Sequence, residues 1–401
     1  MTFGEKMRAL MDQQGISLRK LAKITHYDPG LLSKVWRDLQ PPSESMANRL
    51  DDVLGAGGAL AALRKSSVKT KPDDVVELAG WLEQSNVGDG EIGYLQAAVR
   101  RLIVDYARQP PLTVLQEARV LQKRVATILR GGRQRLAQQH ALLELASELF
   151  ALINLLAGDV GQYALADAYG YAAWTCAEEA DSDLARALVL CAQSKTARWE
   201  DRHHEAADLA RRGFELCPVG GRGRVLLAVS EATALQSCGD ITGAYQALDR
   251  AKQVRDEQDG LDEPADAWGC SRARQATYAL QVGLGARDSK AMLASVRAAD
   301  DAWAEGSQWV YGTWAQVRIG AALAHVMTGE VEGALGELAP VFQLGAEYRV
   351  VTITGRMSEV GRRLGHSRYK SNPKAAELQE QIRDFQAGSL EHKALKAPEN
   401  P

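Results

Sequence analysis

Residues Ile16 to Arg37 read ISLRKLAKITHYDPGLLSKVWR and hold two short helical patterns separated by a tight break. Ser17 stands where an N-cap is needed, and Leu18, Leu21 and Ala22 form the apolar face that follows, with Ile24 as a further candidate. His26 and Tyr27 make the turn. Asp28 caps a second helix whose first position is Pro29, where a missing N–H costs nothing. Leu32 and Val35, three residues apart, face inward, which leaves Gly30, Ser33, Lys34 and Arg37 outward. A helix, a short turn and a second helix with small or cationic residues outward is what insertion into a DNA major groove requires.

The flanks extend this stretch into a bundle. Phe3 to Gln14 reads as a preceding helix with Phe3, Met7, Leu10 and Met11 on one face, closed by Gly15. Gln40-Pro41-Pro42 blocks continuation after Arg37, and Ser43 opens a helix carrying Met46, Leu50, Val53 and Leu54. A bundle of four or five helices therefore closes by about Leu63. The run LRKLAKITHYDPGLLSKVWRDLQPPS resembles the DNA-binding domain of XRE-family repressors, the lambda-repressor type. In that resemblance Ser17 falls at the cap of the second helix, and Gly30, Ser33 and Lys34 fall where bases and phosphates are contacted; Arg19, Arg37 and Ser43 complete the DNA-binding candidates. Two departures stand out: Leu18 where the family commonly has Gln, and Trp36-Arg37-Asp38 where it has Glu-Arg-Gly.

A chain of 401 residues exceeds one helical core and implies two or more units. Its net charge of −3 excludes a generally basic nucleic-acid binder. Residues 1–65, however, carry 10 Lys/Arg against 7 Asp/Glu, so a basic end sits on an acidic remainder. Cys176, Cys191, Cys217, Cys238 and Cys270 form no CxxC pair and lie in apolar helical patterns, which reads as reduced core thiols in a cytoplasmic protein. No apolar leader and no uninterrupted apolar run of 18 residues occurs, so neither secretion nor a membrane span is expected.

Arg64 to Asp74, RKSSVKTKPDD, reads as a linker, and residues 75–133 as connecting helices. From about Gln134 a long helix, a short break and a second helix recur, with breaks in AGDVGQYALADAY, WEDRHHEAADLARR, CGDITGAYQALDRA and TGEVEGALGELAP. Alignment of the breaks puts Gly158, Asp201, Gly239 and Gly329 in one column, and Tyr163, Ala206, Ala244 and Ala334 five residues later. Helix pairs recurring at about 34–45 residues read as an α-solenoid. The pattern resembles degenerate tetratricopeptide repeats: about five units over 134–345 and a terminal pair at 350–364 and 373–385. The expected fold is all-α, a helix-turn-helix bundle at 1–63 and a solenoid at 134–387, with a disordered tail at 388–401.

Catalytic motifs are absent from the reading. Gly88-Asp89-Gly90-Glu91-Ile92-Gly93 matches GxGxxG, but no strand precedes it and its acids would repel a pyrophosphate. There is no phosphate-binding loop and no nucleophile elbow, and His203-His204 project about 100° apart on a helix, unsuited to one metal. Neither an enzyme nor a cofactor is expected. Trp268, Trp303, Trp309 and Trp314 cluster in sequence and suit either repeat packing or a ligand groove. On the inner helix of each pair, Lys195, Arg198, Thr233, Gln236 and Gln316 are candidates for an effector, or are simply solvated. Asn154, alone among Leu and Ile, would bond either a peptide backbone or a neighbouring helix.

The two halves together resemble one-component bacterial transcription factors, among them the peptide-sensing RRNPP regulators of quorum sensing and actinobacterial XRE regulators with helical-repeat bodies. The resemblance implies a cytoplasmic homodimer on a double-stranded DNA operator, answering to a peptide or small-molecule effector. The alternative reading is an adaptor whose solenoid holds a protein partner and whose first domain tethers it to DNA.

Overall fold

The computed structural model describes residues 1–67, 72–257 and 262–388, and all regular structure among them is helical. The chain divides into two compact units, Met1–Gln84 and the remainder from Ser85.

In the first unit α1 (Phe3–Gln13), α2 (Leu18–Thr25), α3 (Pro29–Trp36), α4 (Glu44–Val53) and α5 (Ala59–Ser67) enclose one core, followed by α6 (Pro72–Glu83). Met7, Leu21, Leu32, Val35, Leu50, Leu54 and Leu60 are buried there. Ile24, a candidate for the apolar face, is instead exposed, and Thr25 takes the inward position with its hydroxyl donating to the Leu21 carbonyl at 2.8 Å. Each start signal is used: Ser17, Asp28 and Ser43 accept from the backbone N–H three residues on. Most of the stretch expected as a linker is helical, because Pro72 opens α6 and α5 continues to Ser67; residues 68–71 lie outside the described residues.

The Trp36-Arg37-Asp38 departure has a local cause. Asp38 sits in the left-handed region at φ 56° and accepts from the Gly4 N–H at 2.7 Å and the Thr2 hydroxyl at 2.6 Å. Arg8 stacks over the Trp36 ring at 5.5 Å and donates to its carbonyl. The end of α3 is thereby tied to the start of α1, so the fold keeps its geometry without the usual glycine.

The second unit begins with α7 (Asp89–Asp105) and α8 (Pro111–Arg130). Gly88 caps α7, so the GxGxxG stretch is a helix start carrying two acids in its first turn. Six helix pairs follow: α9 (Leu136–Asp159) with α10 (Tyr163–Glu179), α11 (Asp183–Trp199) with α12 (His203–Leu216), and α13 (Arg224–Ser237) with α14 (Ile241–Glu257). They continue as α15 (Arg272–Gly285) with α16 (Ser289–Ala304), α17 (Tyr311–Thr328) with α18 (Val331–Leu338), and α19 (Val351–Leu364) with α20 (Pro373–Ala387). The first helix of each pair packs on the first helix of the next, and α19 in turn touches α9. This is the solenoid that the repeat pattern predicts. The expected tail lies outside the described residues apart from Gly388, which ends α20.

The repeat signature is a Schellman turn inside each of the first five pairs, with one left-handed residue: Gly161, Asp201, Gly239, Arg287 or Gly329. In the first, Gly161 N–H donates to Gly158 and Gln162 N–H to Ala157; the other four repeat the pattern. The column read from sequence is therefore three residues early in the first unit, where Gly158 is still helical and Gly161 makes the turn. With that register, the position five residues later is Ala166, not Tyr163, and Ala166, Ala206, Ala244 and Ala334 are all fully buried. Small residues there let the second helix lie close against the first.

α9 alone among the described helices is long and apolar enough to cross a membrane, and most of it is buried inside the helical pairs. That burial is what a core helix of a solenoid requires. The five cysteines are free thiols, with Cys191, Cys217 and Cys270 buried.

Candidate nucleic-acid interface and charged cavity

On the first unit, α3 turns Leu32 and Val35 into the core and leaves Gly30, Lys34 and Arg37 exposed, with Ser33 half-buried. Arg19 is exposed on α2, and Ser17 and Ser43 lie exposed at the N-termini of α2 and α4. Helix N-termini carry free backbone N–H groups and partial positive charge, which suit a phosphate. Lys20 and Lys23, which the motif reading passed over, are exposed on α2 as well. None of Arg19, Lys20, Lys23, Lys34 and Arg37 forms an ion pair among the described residues. Among the described residues the Arg37 side chain makes one hydrogen bond, from Nε to the Ser33 carbonyl at 3.3 Å. Five unneutralised cations on two consecutive helices give this surface its positive potential.

In the second unit the inner helices surround a cavity of about 100 Å³, which adjoins a second of about 410 Å³. Arg198, Trp199, Gln281, Gln316, Thr352 and Arg356 line both. Among the sequence candidates, Lys195, Arg198 and Gln316 reach the smaller cavity, and Gln236 lines the larger. Asn154 and Thr233 do not: both are fully buried between helices. Asn154 donates to the Ala166 carbonyl at 2.7 Å and accepts from the Thr196 hydroxyl at 2.9 Å, so its amide is spent on joining three helices. Ser194 makes the equivalent bond one unit later, to the Ala206 carbonyl at 2.8 Å. Nor do Trp268, Trp303, Trp309 and Trp314 line this space; the tryptophan that does is Trp199. Trp268 is packed with α7 and α9, carried there by a loop whose Ala267 N–H donates to the Ile103 carbonyl at 3.0 Å.

The charges in the cavity divide into two sets. Tyr106 donates to Asp159 at 2.7 Å, and Lys195 Nζ approaches the Tyr106 hydroxyl at 3.3 Å while lying over the Tyr106 and Trp199 rings. Burial pushes the Lys195 ammonium down to about 8 and the Asp159 carboxyl up, so each is held by the other's charge. Arg274 is bound to the carbonyls of Asp266 and Gly269 at 2.9 and 2.5 Å. Arg198 and Arg356 have no hydrogen bond or ion pair among the described residues, and burial lowers the affinity of both for their proton. Arg356 was not foreseen, because only the turn of the superhelix brings α19 to α9 and α11.

A family model for a helix-turn-helix domain, of the XRE/Cro-like type, matches residues 2–63. Comparison with curated proteins gave no match.

Proposed function

We propose that the chain is a sequence-specific, DNA-binding transcriptional regulator whose helical-repeat body senses an effector held in the inner cavity. The observation that carries the DNA-binding half is the five unpaired cations on α2 and α3 of a helix-turn-helix domain. The sensor half is supported by Arg198 and Arg356, two charges without an ionic partner among the described residues, inside a concave cavity. A concave, charged cavity suits a small effector better than a flat adaptor surface does.

One domain reads one half-site, so the regulator acts as a dimer in the cytoplasm. α6 supports a contact between two copies: Val75, Val76, Leu78, Trp81 and Leu82 are each more than half exposed within eight residues. Apolar side chains so concentrated are a surface that a second α6 would cover. An effector that prefers one curvature of the repeats changes the spacing of the two DNA-binding units. A tenfold change in operator affinity needs about 1.4 kcal/mol of differential binding. The test is operator affinity of the full chain with and without the small-molecule fraction of its cell extract. A change of tenfold or more is expected; an unchanged affinity would remove the sensor half.

A further inference from the structure

We propose that Arg198 and Arg356 form a clamp for the dianionic end of the effector, a phosphoryl group or a dicarboxylate; this rests on the sensor reading above. Of the cations lining the smaller cavity, Lys195 is offset by Asp159, and Arg274 is engaged by the backbone carbonyls of Asp266 and Gly269. The guanidiniums of Arg198 and Arg356 remain, from α11 and α19, without a carboxylate or carbonyl among the described residues. Both line the same two cavities, so two like charges face one space. A guanidinium keeps its charge at any ordinary pH, so the mutual repulsion cannot be relieved by losing a proton. An anion relieves it, and two planar forks suit carboxylate or phosphate oxygens.

The surrounding groups fit the same ligand. Gln281, Gln316 and Thr352 line both cavities, are half-buried, and make no side-chain hydrogen bond among the described residues. They supply unspent donors around the two arginines. The volume sets the scale: apolar cavities of about 150 Å³ admit a benzene ring. A space of about 100 Å³ takes a phosphate or short dicarboxylate, with the 410 Å³ neighbour free for the rest of the molecule.

The test is calorimetric titration of the full chain with inorganic phosphate and, separately, with succinate, against sodium chloride of matched ionic strength. Saturable binding of at least one is expected, weakened roughly ten- to hundredfold by Arg198→Gln and by Arg356→Gln. Saturation by phosphate alone identifies a phosphoryl end, by succinate alone a carboxylate end, and by both a clamp that accepts either. No saturable binding of either anion overturns the proposal, as does equal affinity in both variants. Melting without added anion separates a binding role from a structural one. Because neither guanidinium is bonded, each variant is expected to melt at or above the wild type, and a lower melting temperature in both overturns the clamp. The sensor reading fails separately, if the clamp binds its anion and operator affinity does not respond to the small-molecule fraction.

Discussion

Replacing Lys34 and Arg37 together by Ala tests which surface meets DNA. Both side chains leave the first unit on the solvent side of α3, and neither has an ion-pair partner to lose. Each phosphate neutralised contributes about 0.9 to the slope of log affinity against log salt. If all five unpaired cations of α2 and α3 touch phosphates, one domain gives a slope of about −4.5, and the double variant about −2.7. Fluorescence anisotropy of a labelled duplex, titrated over a series of salt concentrations, reads that difference. The melting temperature of the variant should match the wild type, since Leu32 and Val35 keep their places in the core. An unchanged slope with a correctly folded variant would show that α3 does not face DNA.

Other expectations concern the body and the contact between copies. Asn154→Ala should cost about 2–4 kcal/mol in urea unfolding, because it removes two buried hydrogen bonds that join three helices; a loss under about 1 kcal/mol would mean that the amide is not a structural joint. Burial pushes the thiols of Cys191 and Cys217 up to about 11 and that of Cys270 to about 12. The unfolded chain therefore sheds these protons first, and stability present below pH 9.0 falls as pH rises towards those values, by about 1.4 kcal/mol per pH unit for each thiol. Lys195, held at about 8 against 10.5, acts in the opposite direction over that interval, but one amine is outweighed by three thiols. Urea midpoints that stay level above pH 9 would contradict this. Leu78→Glu with Trp81→Glu should convert a dimer seen by light scattering into a monomer; a variant that remains dimeric would move the interface off α6.

The DNA-binding unit was the most legible part of the chain, because caps and breakers are local. Ser17, Asp28 and Ser43 declare helix starts through bonds spanning three residues, Pro29 by occupying a first position that needs no N–H, and the structure uses each of them. The solenoid was legible as a period but not in register. Its turns need a left-handed residue, which Asp201 and Arg287 supply as well as glycine, and the first break offers both Gly158 and Gly161, of which only the second takes that conformation. The cavity was the least legible. Lys195 and Arg198 lie on one helix and follow from spacing, whereas Arg356 joins them across more than 150 residues through the superhelical turn. Asn154 shows the converse limit: a lone polar residue in an apolar helix looks the same in sequence whether it meets a ligand or a neighbouring carbonyl.

The most direct measurement is selection of bound duplexes from a random pool by the full chain. The pool should converge on a motif with two inverted half-sites, their centres about 34 Å apart or a multiple of that, as two copies of a helix-turn-helix unit require. A pool that remains random after successive rounds would contradict the central claim that this chain reads DNA sequence.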